Sequence, residues 1–452
     1  MRNSAACWPP SRPFSTENSE RGGENHMDER FQGLGFYPAD ILLPRDCDLT
    51  KWAVVACDQY TSQPEYWQRV EFFVGNSPSA LHLILPESSL EGPSVETDIL
   101  DINNTMSRYL REGRLRTLEH AMIYVERTLG SGRVRRGVVG MVDLERYDYE
   151  PGSGAMVRAT EGTVLSRIPP RVAVRKNAPI ELPHAMILAD DPGRTVIEPL
   201  AALRDRLEPV YDFELMEHSG HLRGWLLGEA EQTAVAAALR ALSDPAAFNA
   251  RYGTQDKPVL LYAVGDGNHS LATAKACYER QKTLVPEDQW AALPARYALA
   301  ELVNLHDGSL EFEPIHRVLF GVDPRALLAG LTAAFPGAYG GMGEGHVLRY
   351  VWEGGSGAVT VPRPAHQLPV GTLQAFLDGW LESHPGRIDY IHGADVVREL
   401  AARPGNLGFL LPAMAKKELF PTVIHDGVLP RKTFSMGEAQ DKRFYLEGRK
   451  IR

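Results

Sequence analysis

Six consecutive residues, Gly265 to Ser270 (GDGNHS), concentrate groups that can do chemistry. Asp266 and His269 can accept or give up a proton, and Asn268 and Ser270 can hydrogen-bond an anion. The apolar run at 259–264 (VLLYAV) predicts a buried strand, and the apolar spacing that follows the turn predicts a helix with Asn268 as its N-cap. Because the N–H groups that begin a helix attract anions, this turn is a candidate phosphate site. The alternative is a well-capped strand–helix junction with no further role.

The glycines of the turn, Gly265 and Gly267, do not belong to a standard nucleotide-binding loop. The segment lacks the Gly-Lys-Ser/Thr of a Walker loop and the third glycine of a Rossmann fingerprint. Positive charge for a phosphate must therefore come from elsewhere in the chain.

The segment from Arg158 to Thr163 (RATEGT) is a second polar cluster. Arg158 can neutralise phosphate oxygens, Thr160 can donate a hydrogen bond, and Glu161 can take a proton from a hydroxyl nucleophile. The alternative is a solvated, charged loop. With its two consecutive prolines, the stretch 158–175 is expected to be a loop that leads into a strand.

Two basic pairs offer further anion-binding groups. His316 and Arg317 follow a proline and can clamp an anion, and Arg431 and Lys432 lie in a basic turn that carries hydroxyl residues. A surface location without function is the alternative for both pairs.

Metal ligands are hard to identify in the sequence. No zinc motif, EF-hand or HExxH is present, and no GxSxG nucleophile elbow occurs. Phosphoryl transfer generally uses Mg²⁺ held by one or two carboxylates together with substrate phosphates. Asp58, Asp190 and Asp266 are the candidates, and nothing in the sequence chooses between them.

The composition excludes several classes of protein. The 452 residues are 44% hydrophobic and 23% charged, with a net charge of −10 that argues against general nucleic-acid binding. No apolar run reaches the length of a membrane span. The four cysteines show no zinc spacing, which fits a reducing cytoplasm, and Cys57 and Cys277 are expected to be core thiols.

Strands and helices alternate without a regular βαβα rhythm, so the fold class is predicted to be α+β, with mixed sheets and helices. Residues 1–26 are polar, rich in proline and serine and aperiodic, so we expect a disordered tail with Met27 as the natural start. Residues 27–320 are expected to form the main lobe that carries the turn, and residues 321–452 a C-terminal α/β lobe that completes the site.

Several stretches resemble the DUF1015 family, specifically its longer branch, from about Phe36 to Arg449. They are WAVVACDQYTSQPEYW, RATEGT, IPPR, RKNAPIELPH, GDGNHSLATAK, EPIHR, DYIHG and LPRKTFSMGEAQDKRFYLE. The DGNHS segment is also similar to the phosphate-contacting box of ParB/sulfiredoxin-like proteins, Asp-Gly-His-His-Arg. Asp266, Gly267 and His269 match that box, whereas Asn268 stands for its first His and Ser270 for its Arg.

This resemblance implies a ParB-like core with a C-terminal extension and a kinase of small molecules, with free L-serine as the acceptor. The predicted function is a cytoplasmic phosphotransferase that uses Mg²⁺ and ATP, ADP or pyrophosphate, with Asp266, His269 and Glu161 as catalytic groups. Homo-oligomerisation is compatible with it. The alternatives are a non-catalytic sensor of a nucleotide or phosphorylated metabolite and, less favoured by the charge, a nucleic-acid-associated protein.

Overall fold

The computed structural model describes residues 28–61, 63–90, 92–163 and 165–452, so the predicted tail lies outside the described residues. The α-helices are α1 (Leu49–Trp52), α2 (Pro64–Val74), α3 (Val95–Arg111), α4 (Ile168–Arg175), α5 (Glu198–Ala201), α6 (Glu229–Leu242), α7 (Pro245–Tyr252), α8 (Asn268–Lys282), α9 (Pro324–Ala334), α10 (Pro369–Ser383), α11 (Ala394–Ala401) and α12 (Leu419–His425). None of these helices combines the length and hydropathy needed to cross a bilayer.

The strands fall into two large sheets and three short pairs. They are β1 (Phe36–Tyr37), β2 (Ala39–Pro44), β3 (Val54–Val55), β4 (Leu115–Ala121), β5 (Ile123–Thr128), β6 (Val134–Asp143), β7 (Tyr147–Asp148), β8 (Val157–Ala159), β9 (Ile180–Glu181), β10 (Met186–Ala189), β11 (Glu208–Glu214), β12 (His221–Leu226), β13 (Tyr262–Asp266), β14 (Tyr297–Asn304), β15 (Phe312–Phe320), β16 (Tyr339–Gly340), β17 (His346–Trp352), β18 (Gly355–Val361), β19 (Arg387–His392), β20 (Asn406–Leu410), β21 (Phe434–Met436), β22 (Phe444–Tyr445) and β23 (Arg449–Lys450).

The larger sheet positions the predicted turn. Its strands run in the order β11-β12-β5-β6-β14-β10-β13-β8-β7, with β1 added beside β6. In its centre, β10 is parallel to β14 and antiparallel to β13, and β13 is parallel to β8. Parallel and antiparallel pairs therefore occur in one sheet with helices packed on it, which confirms the α+β class.

The second sheet has the order β16-β18-β17-β20-β15-β19, with β21 added beside β15. Beyond it the chain returns to its N-terminal half, where β22 pairs with β3 and β23 pairs with β9. The indole of Trp52 donates a hydrogen bond of 3.2 Å to the carbonyl of Leu446 across this return. The final residues therefore pack with the first third of the chain, although the lobe boundaries themselves stay a prediction.

A buried ion-pair network ties this return to the main sheet. Glu301 of β14 binds Arg135 at 3.3 Å and Arg443 at 3.1 Å, and Arg443 also binds Glu447 at 2.7 Å. Burial would raise the pKa of Glu301, but the two arginines lower it below its ordinary value. All of these side chains are buried, so removing one partner would leave a charge without compensation.

Two local predictions need correction. Residues 168–175, expected to be a loop entering a strand, form α4, because its two prolines lie in the first turn, where a missing N–H costs no helical hydrogen bond. The predicted strand and helix around the turn do form, but the N-cap of α8 is Gly267 rather than Asn268. Gly267 has a left-handed φ of 77°, and an added Cβ would lie 2.8 Å from the Cα of Ala185. Conformation and packing thus both require glycine there.

Candidate functional site

The predicted turn lies where β13 ends and α8 begins. Asp266 ends the strand, and its Oδ1 accepts a hydrogen bond of 2.9 Å from the Gly267 N–H. No side chain caps α8. The N–H groups that open this 15-residue helix lack intrahelical partners, as in any helix, and the positive end of the helix dipole is located there. An anion can bind at this position.

Strand β8 brings the second predicted cluster to one side of the turn. The Thr160 N–H donates to Asn268 Oδ1 at 3.3 Å, and the Thr160 hydroxyl donates to the Val264 carbonyl at 2.7 Å. Because β8 lies parallel to β13, residues 158–161 and 263–266 end at the same edge of the sheet. Glu161 is therefore held next to the start of α8.

The carboxyl group of Glu161 differs electrostatically from an ordinary surface glutamate. Burial raises its pKa, and the negative charge of Asp266 adds to this effect. The charges of Lys432 and Arg317 and a hydrogen bond from the Lys432 backbone N–H oppose the shift without cancelling it. The result is a carboxyl group with a raised pKa beside a cation and a helix N-terminus, an arrangement suited to proton transfer.

Lys432 reaches this place from the C-terminal part of the chain. The Leu429 N–H donates to the Thr160 carbonyl at 2.7 Å, and Arg317 donates to the carbonyls of Lys432 at 2.8 Å and Arg431 at 3.1 Å. Lys432 is exposed and has a φ of 57°, a left-handed conformation that costs energy for a residue with a Cβ. Arg317 therefore acts on the turn by positioning Lys432, and it is itself fully buried.

Asp58, His184 and Lys442 occupy the other side of the turn. Lys442 Nζ lies 3.4 Å from Asp266 Oδ2, and His184 Nε2 lies 3.9 Å from Asp58 Oδ2. Burial would raise the pKa of Asp58, but His184, a hydrogen bond from Gln59 and the charge of Lys442 lower it. These contacts bring three distant segments of the chain together at one point.

His184 and Lys442 were not predicted to be site residues, because the prediction relied on polar residues that lie close together in the sequence. Both lie within stretches that carry the family resemblance, RKNAPIELPH and LPRKTFSMGEAQDKRFYLE, and that was the available signal. The His184 ring is oriented by a hydrogen bond of 2.7 Å between its Nδ1 and the Tyr445 hydroxyl. Tyr445 also donates to Cys57 Sγ at 3.1 Å, and burial, followed by Asp58, raises the pKa of that thiol to about 12. A thiol in this state is a poor nucleophile. Cys57 is only half-buried, whereas Cys277 is buried as predicted.

Two of the three predicted metal ligands, Asp58 and Asp266, lie near the turn, and the third, Asp190, lies elsewhere. Among the described residues, no three His, Cys, Asp or Glu side chains are grouped to hold a metal ion. Asp266 faces the ammonium group of Lys442, whose charge also acts on Asp58. Asp190 lies at the far end of β10, where His306 binds it at 2.6 Å.

Three predicted phosphate ligands are directed elsewhere. Arg158 donates to the carbonyls of Ala155 at 2.7 Å and Pro258 at 2.9 Å, towards the beginning of β13. His316 accepts a hydrogen bond of 3.1 Å from the Leu411 N–H, and burial, followed by the charge of Arg317, lowers its pKa. Neighbouring residues on a strand point to opposite faces, so His316 and Arg317 do not form a clamp. Arg431 binds the Tyr390 hydroxyl at 2.8 Å.

The fold and this site define an α+β protein with a polar strand–turn–helix junction surrounded by carboxylates and lysines. The chain belongs to the DUF1015 family, described as protein of unknown function, whose model matches residues 40–386. A search of curated proteins found no match.

Solved structures with similar architecture include a mutant free serine kinase in complex with AMP. It is 12% identical, with a TM-score of 0.38, and the match covers 71% of this chain and 93% of that one. A free serine kinase mutant with ADP is 16% identical (TM-score 0.30; 42% and 73% covered). A conserved hypothetical protein from Pyrococcus furiosus is 12% identical (TM-score 0.34; 67% and 92% covered). At these values the likenesses carry no inference about this site, and the ParB-like core stays a prediction.

Proposed function

We propose that the protein is a phosphotransferase that acts on a small hydroxyl compound, with free L-serine as the acceptor. One observation carries the proposal: the Glu161 carboxyl group, whose pKa is raised by burial, lies beside Lys432 and Asp266 at the start of α8. A carboxyl base and an anion-binding helix end are two of the parts that phosphoryl transfer to an alcohol uses.

In the proposed step, Glu161 takes the proton of the acceptor hydroxyl. The new bond joins that oxygen to the transferred phosphorus, and the bond from the phosphorus to the leaving oxygen of the donor breaks. The first N–H groups of α8, together with Lys432 and Lys442, hold the phosphate oxygens and offset their charge. His269, the second residue of α8, is the other candidate base, and Ser270 and Asn268 are phosphate ligands.

The donor is ATP, ADP or pyrophosphate. Gly265 and Gly267 contribute by their shape, since an added Cβ at Gly265 would lie 2.8 Å from Leu188 Cγ. The proposal routes no step through Mg²⁺. A cytoplasmic location and homo-oligomerisation remain predictions.

The test is to incubate the purified protein with L-serine and each donor in turn, with and without MgCl₂, and to detect O-phosphoserine by phosphorus NMR. Product with one donor is the expected result. If no donor yields phosphoserine, the serine-kinase proposal is wrong. Tight nucleotide binding that survives Asp266→Asn, again without product, would instead identify a non-catalytic sensor.

A further inference from the structure

A cavity of about 140 Å³ opens beside the first turn of α8. Ser270 and Thr273 line it from the helix, and His184 and Cys57 line it from the adjoining segments. Ser270 is the third residue of α8, so at 1.5 Å of rise per residue the cavity begins within about 5 Å of the helix start along its axis. The cavity is therefore contiguous with the proposed phosphate site.

A large part of the lining of this cavity is apolar. It includes Leu83, Leu85, Met106, Val174, Ala178 and Ile180. Apolar side chains with a few polar groups at one end are typical of sites that bury a flat, uncharged ring and orient it by its edge. The adaptable Met106 side chain suits contact with an aromatic face.

The charged groups that line the cavity are already paired. Arg171 binds Glu87 at 2.7 Å, and Arg175 forms an ion pair with Glu181, which also binds Arg449 at 2.9 Å. An amino acid such as L-serine has an ammonium and a carboxylate, both of which need opposite charges when buried. This lining therefore disfavours the acceptor and favours a neutral group.

We infer that the cavity binds the nucleobase of the phosphoryl donor, which makes the donor a nucleotide and not pyrophosphate. The inference rests on the proposed function, because it takes the start of α8 as the phosphate site. Pyrophosphate has no apolar part and gains nothing from an apolar lining, whereas a base buried there adds hydrophobic free energy to the phosphate contacts.

The test compares ADP with pyrophosphate by isothermal titration calorimetry on the full chain and on Val174→Phe, which fills the cavity. The matched control is Val172→Phe, the same change on the same helix at a residue that does not line the cavity. We expect Val174→Phe to weaken ADP binding by about tenfold or more and to leave pyrophosphate binding unchanged. Equal effects on both ligands, or none on ADP, would overturn the inference.

A second measurement does not depend on a variant folding. Photo-crosslinking of the unmodified protein with 8-azido-ADP should label peptides that contain residues 83–85 or 174–182, and labelling elsewhere only would contradict the inference. The outcomes separate the two proposals. ADP binding that depends on the cavity, without any phosphoserine, would refute the kinase proposal and support the nucleobase site. Phosphoserine formed equally well from pyrophosphate would support the kinase proposal and refute the nucleobase site.

Discussion

Two glutamates of this molecule, the buried Glu301 and the half-buried Glu161, respond to desolvation with opposite pKa shifts. Glu301 is held by Arg135 and Arg443, and its pKa falls below the ordinary value. Glu161 has Lys432 beside it, with Asp266 as a neighbouring negative charge, and its pKa rises. Desolvation acts on both carboxyl groups, so the difference comes from the number and kind of their partners.

This difference in pKa distinguishes a carboxylate with a structural role from a carboxyl group that can transfer a proton. A carboxylate with two guanidinium partners stays ionised and holds strands together, but it has no capacity left for a proton. A carboxyl group with an incomplete set of partners and a raised pKa loses its proton at a higher pH than an ordinary glutamate, and it destabilises the fold when it ionises. The first kind is expected to control folding and the second kind to control turnover.

The largest expected effect is that of Glu161→Gln on phosphoryl transfer. Loss of a general base should lower kcat by about 10²- to 10⁴-fold, while the fold is retained because no compensated charge is removed. Steady-state kinetics with the best donor measures this change. Glu96→Gln, at an exposed position on α3, is the matched control and should be neutral. A loss of less than about threefold in Glu161→Gln would assign the base elsewhere, with His269 next in line.

Glu301→Gln should lower the stability of the fold rather than act directly on turnover. Removing this charge leaves the buried Arg135 without a carboxylate and Arg443 with Glu447 alone, which should cost about 3–5 kcal/mol in the free energy of unfolding. Urea denaturation followed by circular dichroism measures it. A cost below about 1 kcal/mol would mean that the ion pairs of Glu301 do not stabilise the fold appreciably.

Two substitutions of Lys432 distinguish the effect of its charge from the effect of its backbone conformation. Lys432→Met and Lys432→Gly both remove the ammonium and should weaken phosphate binding by about tenfold. The glycine variant also relieves the left-handed strain, so it should be about 1 kcal/mol more stable than the methionine variant. Phosphate binding and thermal melting should be measured on both variants. Equal melting temperatures would contradict backbone strain at Lys432.

The smallest effect is that of pH on stability. Since the folded-state pKa of Glu161 lies above its unfolded value of about 4.3, the stability that its protonated form contributes is complete below that value. It is lost as the pH rises through the folded pKa, and turnover should increase over the same interval. Glu161→Gln should flatten the corresponding part of the melting-temperature profile. An unchanged profile would show that Glu161 does not titrate there.

Much of the local structure could be predicted from the sequence. The strand, turn and helix around Asp266 form as the apolar pattern indicates. The family was also identified correctly from its motifs. These features depend on neighbours within about twenty residues, which a sequence pattern records directly.

The composition of the site could be predicted only in part. Glu161 and Lys432 were identified, but His184 and Lys442 come to the turn through packing between segments far apart in the chain. Arg158 has the right chemistry and the wrong direction, because its guanidinium is used by backbone carbonyls. Long-range packing and side-chain direction are not encoded in local periodicity.

The pairing of β22 and β23 with strands of the N-terminal half has a consequence for how the protein folds. Tyr445 contacts Cys57 across 388 residues, and Lys442 lies in the same returning segment. Closing so long a loop is entropically costly and kinetically slow, so these contacts should form late. A nascent chain that has folded its larger sheet would still lack Lys442 and the group that orients His184. Activity should therefore appear only when the last segment has docked, which makes turnover a stricter measure of complete folding than helix content.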